Sequence, residues 1–256
     1  MKTLDKMTII GLVAILLTIL YVLAAGNILH MLFNPLALII VYGGTFSAIF
    51  IAYPWPVIKE ILPSLRVLLF PSKHSDKDME EMINTLSTLA EKARRDGIET
   101  LQAEIPHIQD RFLLHGVQML VDGLEHDVIR DNLAREIFYT RHNQQKVSGS
   151  FRTMATVAPI FGLLGTLMGI VEMLRNLSNP ASMGAAMSNA VTATFYGIFS
   201  ANVFIPIATK LTDHSERDII AKEMIAEGIL SIHQGDVPLI LRKKLTAFIM
   251  AHMRQK

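Results

Sequence analysis

An all-α, polytopic membrane protein with four transmembrane helices and a helical cytoplasmic domain is the fold class that this sequence predicts. Three observations predict it. Four apolar stretches are long enough to cross a bilayer, the charged residues are confined to blocks between and after them, and the remaining apolar residues recur at helical spacing. No Asp, Glu, Lys or Arg lies between Lys6 and Lys59, or between Arg175 and Lys210. Charged residues make up 18% of the 256 positions, against about a quarter in an ordinary soluble domain.

A hydrocarbon core of about 30 Å takes roughly 20 apolar residues in a helix. Residues 7–25, 35–53, 153–174 and 185–209 meet that length. Backbone groups in hydrocarbon have to be satisfied within the segment, so each stretch is expected to be a helix. Lys2 and Lys6 before the first stretch would also suit a cleaved signal peptide. That run is longer than a typical signal core and a second span follows within ten residues, so it is expected to remain as a helix.

The distribution of Lys and Arg sets the orientation. None occurs in the turn at 26–34, and the turn between the third and fourth spans holds only Arg175, at its edge. Lys2, Lys6, Lys59, Arg66, Arg152, Lys210 and Arg217 flank the opposite ends. Both termini and the long central segment are therefore expected in the cytoplasm of a bacterial inner membrane. The domain organisation follows: a transmembrane hairpin at 1–53, a cytoplasmic helical domain at 54–151, a second hairpin at 152–211, and C-terminal cytoplasmic helices at 212–256.

Pro54 and Pro56 mark the exit from the second span, and the apolar segment 57–70 is expected along the membrane surface. From Asp76, Met79, Met82, Ile83, Leu86, Leu89, Ala90 and Ala93 recur at three- and four-residue spacing, which predicts a helix. Ser75 or Asp76 is suited to cap its start, and Gly97 to end it in the left-handed region. Short helices are expected near 101–108, 110–122 and 126–143. Two more are expected at 213–233, closed by Gly235, and after Pro238.

Several function classes drop out. Without Cys there is no disulfide, thiolate metal site or thiol nucleophile. The nine His lack metalloprotease spacing, and neither a phosphate-binding loop nor a serine elbow occurs. A net charge of +1 with no basic stripe gives no reason to expect nucleic acid. Neither an enzyme nor a resident metal or cofactor is expected.

The third and fourth spans carry faces of small residues. Pro159, Gly162, Thr166 and Gly169 share one helical face, as do Ala190, Thr194, Gly197 and Ala201. Such faces let helices approach closely. The two threonines either offer oxygens to a cation or bond back to their own helix. Pro159 and Pro206 each free a backbone carbonyl one turn earlier, which either kinks the helix or lines a polar cavity. No ionisable side chain lies near the centre of any span, whereas carriers of protons or cations generally use one. An ion-conducting role would need the carboxylate from a partner.

The stretches ARRDG (93–97), LVDG (120–123), RH (141–142) and VAPIFGLLGTLMG (157–169) make the sequence resemble the flagellar stator A subunits, the MotA, PomA and MotP family. ATFYG (193–197), PIATKL (206–211) and EGILSIHQG (227–235) continue the match, which covers nearly the whole chain. The resemblance implies a homopentamer around two single-span B subunits that supply the membrane Asp. It also implies transport of Na+ or H+, with rotation of the rotor switch protein FliG driven by the cytoplasmic domain. By the same resemblance Pro159 and Pro206 belong to the coupling machinery. Thr166 and Thr194 match a transient sodium pocket, which favours sodium over protons. Arg94, with Arg95 beside it, matches the rotor-engaging basic position. The family's acidic rotor-contact position falls on Gln102, a departure for which Glu99 or Glu104 is the substitute. An ExbB- or TolQ-like energiser of an envelope transport system is the alternative, with three spans in another order. A self-sufficient transporter or membrane enzyme would need ionisable groups that the spans lack.

Overall fold

The computed structural model describes residues 33–66, 76–175, 177–178 and 180–254, with isolated positions between 10 and 25. The expected first span, 7–25, lies outside the described residues apart from those isolated positions, which are helical. Ser75 and the side chain of Asp76, the expected caps, lie outside them too, as do 67–70 of the surface segment. Among the described residues there is no strand.

Helix α1, Pro35–Ala52, is apolar enough to cross a membrane. The Asn34 side chain caps it by accepting the Ala37 N–H at 3.1 Å, with Pro35 in the first turn. Its ladder widens to a π-helical turn at Ile39–Gly43 before returning to α geometry. Extended backbone at Tyr53 and Pro54 breaks the chain direction, and α2, Trp55–Ser64, begins at once. Pro56 does not exclude helix here: it lies in the first turn of α2, where a missing N–H leaves no bond unmade.

Helix α3 spans Asp76–Asp96. Short 3-10 turns at Ile98–Ala103 and Ile105–His107 replace the helix expected near 101–108. Helix α4, Arg111–Val121, is capped by Asp110, whose carboxylate accepts the N–H groups of Phe112 and Leu113 at 2.9 Å. Helices α5, His126–Arg175, and α6, Pro180–His233, each run unbroken for 50 and 54 residues. Helix α7, Pro238–Arg254, ends the described chain.

The continuity of α5 and α6 corrects the expectation of separate cytoplasmic and membrane helices. Between 143 and 153 only Gly149 and two serines disfavour helix, and both serines bond back to their own helix. Ser148 and Ser150 donate to the carbonyls of Gln145 and Val147 at 3.2 and 2.7 Å. The change from charged to apolar sequence marks a change of surroundings, which the i to i+4 ladder does not sense.

Gly123 and Gly235, at φ 68° and 73°, close α4 and α6 with paired Schellman bonds. Leu124 N–H reaches Met119 C=O at 3.2 Å, and Asp236 N–H reaches Ser231 C=O at 3.0 Å. Gly97 differs from expectation. Its φ of 92° is positive, but ψ is 156°, so the chain leaves α3 extended rather than in the left-handed helical well.

The chain forms two compact units. The first takes Met1–Pro71 and Gln144–Asp213, the second Ser72–Asn143 and His214–Lys256. In the first, Ala37 and Val41 of α1 are buried with Ala158 and Ala193, and Tyr196 packs on them. A second cluster holds Ile49, Val57, Val147, Phe151, Met154, Ala208 and Leu211, so α2 is anchored against α5 and α6. In the second unit the stripe read from the sequence is buried at Met79, Ile83, Leu86, Leu89, Ala90 and Ala93 with residues of α4 to α7, while Met82 is partly buried and packs against the cluster. Burial of each such large side chain contributes about 1.5–3 kcal/mol.

Candidate functional site

Within the first unit the two small-residue faces meet directly. A Cβ placed on Gly162 would lie 2.9 Å from the Ala193 carbonyl oxygen, and one on Gly197 would lie 2.7 Å from that of Ala158. Backbone therefore touches backbone, a separation that only glycine permits. Pro159 is half-buried in this seam, its Cα 3.0 Å from the Gly197 Cβ position. Lacking an N–H, it leaves the Ala155 carbonyl without its helical donor.

Farther along the seam Thr166 and Thr194 are half-buried and hydrogen-bonded to each other through their hydroxyls. Thr166 Oγ1 also lies 3.1 Å from the Gly162 carbonyl and 3.4 Å from that of Ala190, and Thr194 Oγ1 lies 3.4 Å from the Ala190 carbonyl. The two readings of the threonines coexist. Each hydroxyl carries one hydrogen, so the hydroxyl that donates across the pair leaves the other free to bond back along its helix. Two hydroxyl and two carbonyl oxygens thus converge in an apolar setting, the ligand chemistry that replaces water around a small cation.

Pro206 does not join this group. It is exposed and twelve residues beyond Thr194 on α6, about 18 Å at the helical rise.

A different constellation occupies the second unit at the end of α3. Arg94 and Arg95 are both exposed. Arg95 grips Asp96 in a fork, with Nη2 2.8 Å and Nε 3.0 Å from carboxylate oxygens. This hydrogen bond and charge hold the Asp96 carboxyl below its ordinary range and raise the Arg95 guanidinium. Arg94 makes no ion pair among the described residues. The two candidate acids also differ. Glu104 is engaged by Lys92, which lowers its carboxyl from the ordinary value, whereas Glu99 is exposed with no ion pair among the described residues. Gln102 is exposed on the same 3-10 turn as Glu99.

Comparison with known proteins converges on one family. Residues 9–97 match the motility protein A N-terminal model, and 104–224 match that of the MotA/TolQ/ExbB proton channel family. Motility protein A of Bacillus subtilis is 34% identical over 98% of this chain and 93% of its own length. The fold also superposes on the C. jejuni MotAB structure, with a TM-score of 0.85, 28% identity and 95% of each chain covered. For the flagellar MotAB stator complex of B. subtilis the TM-score is 0.80 and the identity 32%, over 95% of this chain and 97% of that one. The chain belongs to the motility protein A family of flagellar stators.

It is accordingly a stator ion-channel subunit, and the match across both hairpins sets aside the ExbB- or TolQ-like alternative. Some polar contacts of this stator chain were not anticipated. Asn34 hydrogen-bonds to Asn189, Tyr42 accepts from Ser200 at 3.0 Å, and Tyr53 pairs with Thr153 at 2.9 Å. All three join α1, or the residues flanking it, to α5 or α6. Asn and Tyr inside or beside apolar spans were the available signal, because a polar group in hydrocarbon needs a partner.

Proposed function

We propose that this chain is the A subunit of a sodium-driven flagellar stator, conducting the ion together with a B subunit and driving the rotor through its second unit. The observation that carries the proposal is the Thr166–Thr194 hydroxyl pair in an apolar seam without an ionisable side chain. Oxygens there are suited to strip part of the water from Na+, but nothing titrates, so a carboxylate has to come from outside the chain. The solved neighbours are MotAB complexes, in keeping with a B-type partner that carries a membrane Asp. A pentameric A ring in the inner membrane, both termini cytoplasmic, would place five such seams around that partner.

Pro159 and Pro206 act in coupling. Pro159 opens the backbone ladder beside the seam, and Pro206 lets α6 bend below it. Arg94 and Arg95 engage charged residues of FliG, and Glu99 replaces the acid missing at Gln102, since Glu104 is already committed to Lys92.

Reconstitution tests the proposal. In liposomes the chain alone should pass neither sodium nor protons, whereas the assembled complex with its B subunit should pass sodium down its gradient. Flux from the isolated chain, or a complex that carries protons equally well without sodium, would overturn it.

A further inference from the structure

The exposed face of α7 carries apolar and basic side chains at helical spacing. Leu239, Arg242, Lys243 and Thr246 follow the i, i+3, i+4, i+7 pattern and line, together with the exposed Ala247, an open groove of about 350 Å³. Four residues in this arrangement form the hole that accepts one side chain of a facing helix. Leu239 is 64% exposed and Ile240 48%, although the opposite face of α7 is fully committed, with Leu241 and Leu245 buried in the core of the second unit.

Charge names the character of the occupant. Three consecutive basic residues behave differently. Lys244 turns inward to Asp236 at 2.8 Å and Glu227 at 3.8 Å. Arg242 and Lys243 are exposed and make no ion pair among the described residues. The neighbouring acids are thus already used by Lys244, and the groove is left with uncompensated positive charge beside exposed apolar side chains.

We infer that this face is a second rotor-docking surface, binding an acidic amphipathic helix of the rotor switch protein in addition to the contact made at Arg94 and Arg95. The inference rests on the rotor reading above. An apolar side chain of the rotor helix fills the hole, and its carboxylates meet Arg242 and Lys243.

The test uses the complete stator complex in lipid nanodiscs and purified rotor switch protein. A photocrosslinker at Thr246 should join the two proteins through an acidic helix. The double variant Arg242→Glu, Lys243→Glu should weaken binding about tenfold at low salt, as the loss and reversal of two exposed charge pairs implies. Crosslinking to lipid or to a neighbouring A subunit, or unchanged affinity in the double variant, would overturn the inference. The parallel variant Arg94→Glu, Arg95→Glu separates the two readings. If it alone abolishes binding, the α7 surface falls and the rotor reading stands; if neither variant affects binding, both fall.

Discussion

The hydroxyls of Thr166 and Thr194 are bonded to each other across the seam between α5 and α6, and the Ala190 carbonyl lies 3.4 Å from both oxygens. A pair so placed is satisfied without an ion, and on the proposed sodium path it would lose little to an entering cation, because the oxygens would exchange one another for it. This makes the pair suited to transient rather than tight occupancy.

Replacing Thr166 with Val keeps the shape and removes the oxygen, while Ser keeps the oxygen and removes a methyl group. The loss of one polar ligand is worth about 1–3 kcal/mol. Thr166→Val should therefore raise the sodium concentration for half-maximal swimming speed by roughly fivefold or more, with Thr166→Ser close to the parent. Identical sodium curves for the parent and the Val variant would remove the pair from the ion path.

The seam also fixes how far the helices are apart. An added methyl at Gly197 would meet backbone on α5, the Ala158 oxygen at 2.7 Å and the Pro159 Cα at 3.0 Å. Neither can swing away as a side chain would, so Gly197→Ala should cost at least the 1–3 kcal/mol typical of overpacking. Gly184, farther up the same helix, has no atom within 4 Å of its Cβ position. Thermal unfolding of the purified chain in detergent should register a large loss for Gly197→Ala and almost none for Gly184→Ala. Equal losses would mean that the two helices part readily at Gly197.

Much of this was legible in the sequence because it depends on local periodicity. The stripe from Met79 to Ala93 announced its buried face through spacing alone. The two small-residue faces did the same, since glycine at the points of closest contact is what permits such an approach. What escaped was of two kinds. The joins within α5 and α6 lie where polarity changes sharply, and a change of solvent reads like a change of element. The partners of Asn34, Tyr42 and Glu104 are 155, 158 and 12 residues away, and periodicity carries no information about pairing at those distances. The ψ of Gly97 escaped for a related reason: glycine permits several positive-φ conformations, and the following 3-10 turn selects among them.

The engagement of Glu104 by Lys92 bears on the proposed rotor contact. An acid already paired within its own unit would have to break that pair before meeting a rotor cation, whereas Glu99 has no pair to break. Charge substitution separates the two. Glu99→Lys reverses the charge of the exposed 3-10 turn that follows Arg94 and should reduce swimming and rotor binding several-fold at low salt, the effect shrinking as salt screens it. Glu104→Gln removes a half-buried ion pair worth about 1 kcal/mol and should leave rotor binding within twofold of the parent, its only trace a small loss in melting temperature that Lys92→Met reproduces. Binding of the rotor switch protein to the complete stator complex, titrated at two salt concentrations, reads both effects. A larger loss from Glu104→Gln than from Glu99→Lys would reverse the assignment and make Glu104 the substitute for the acid absent at Gln102.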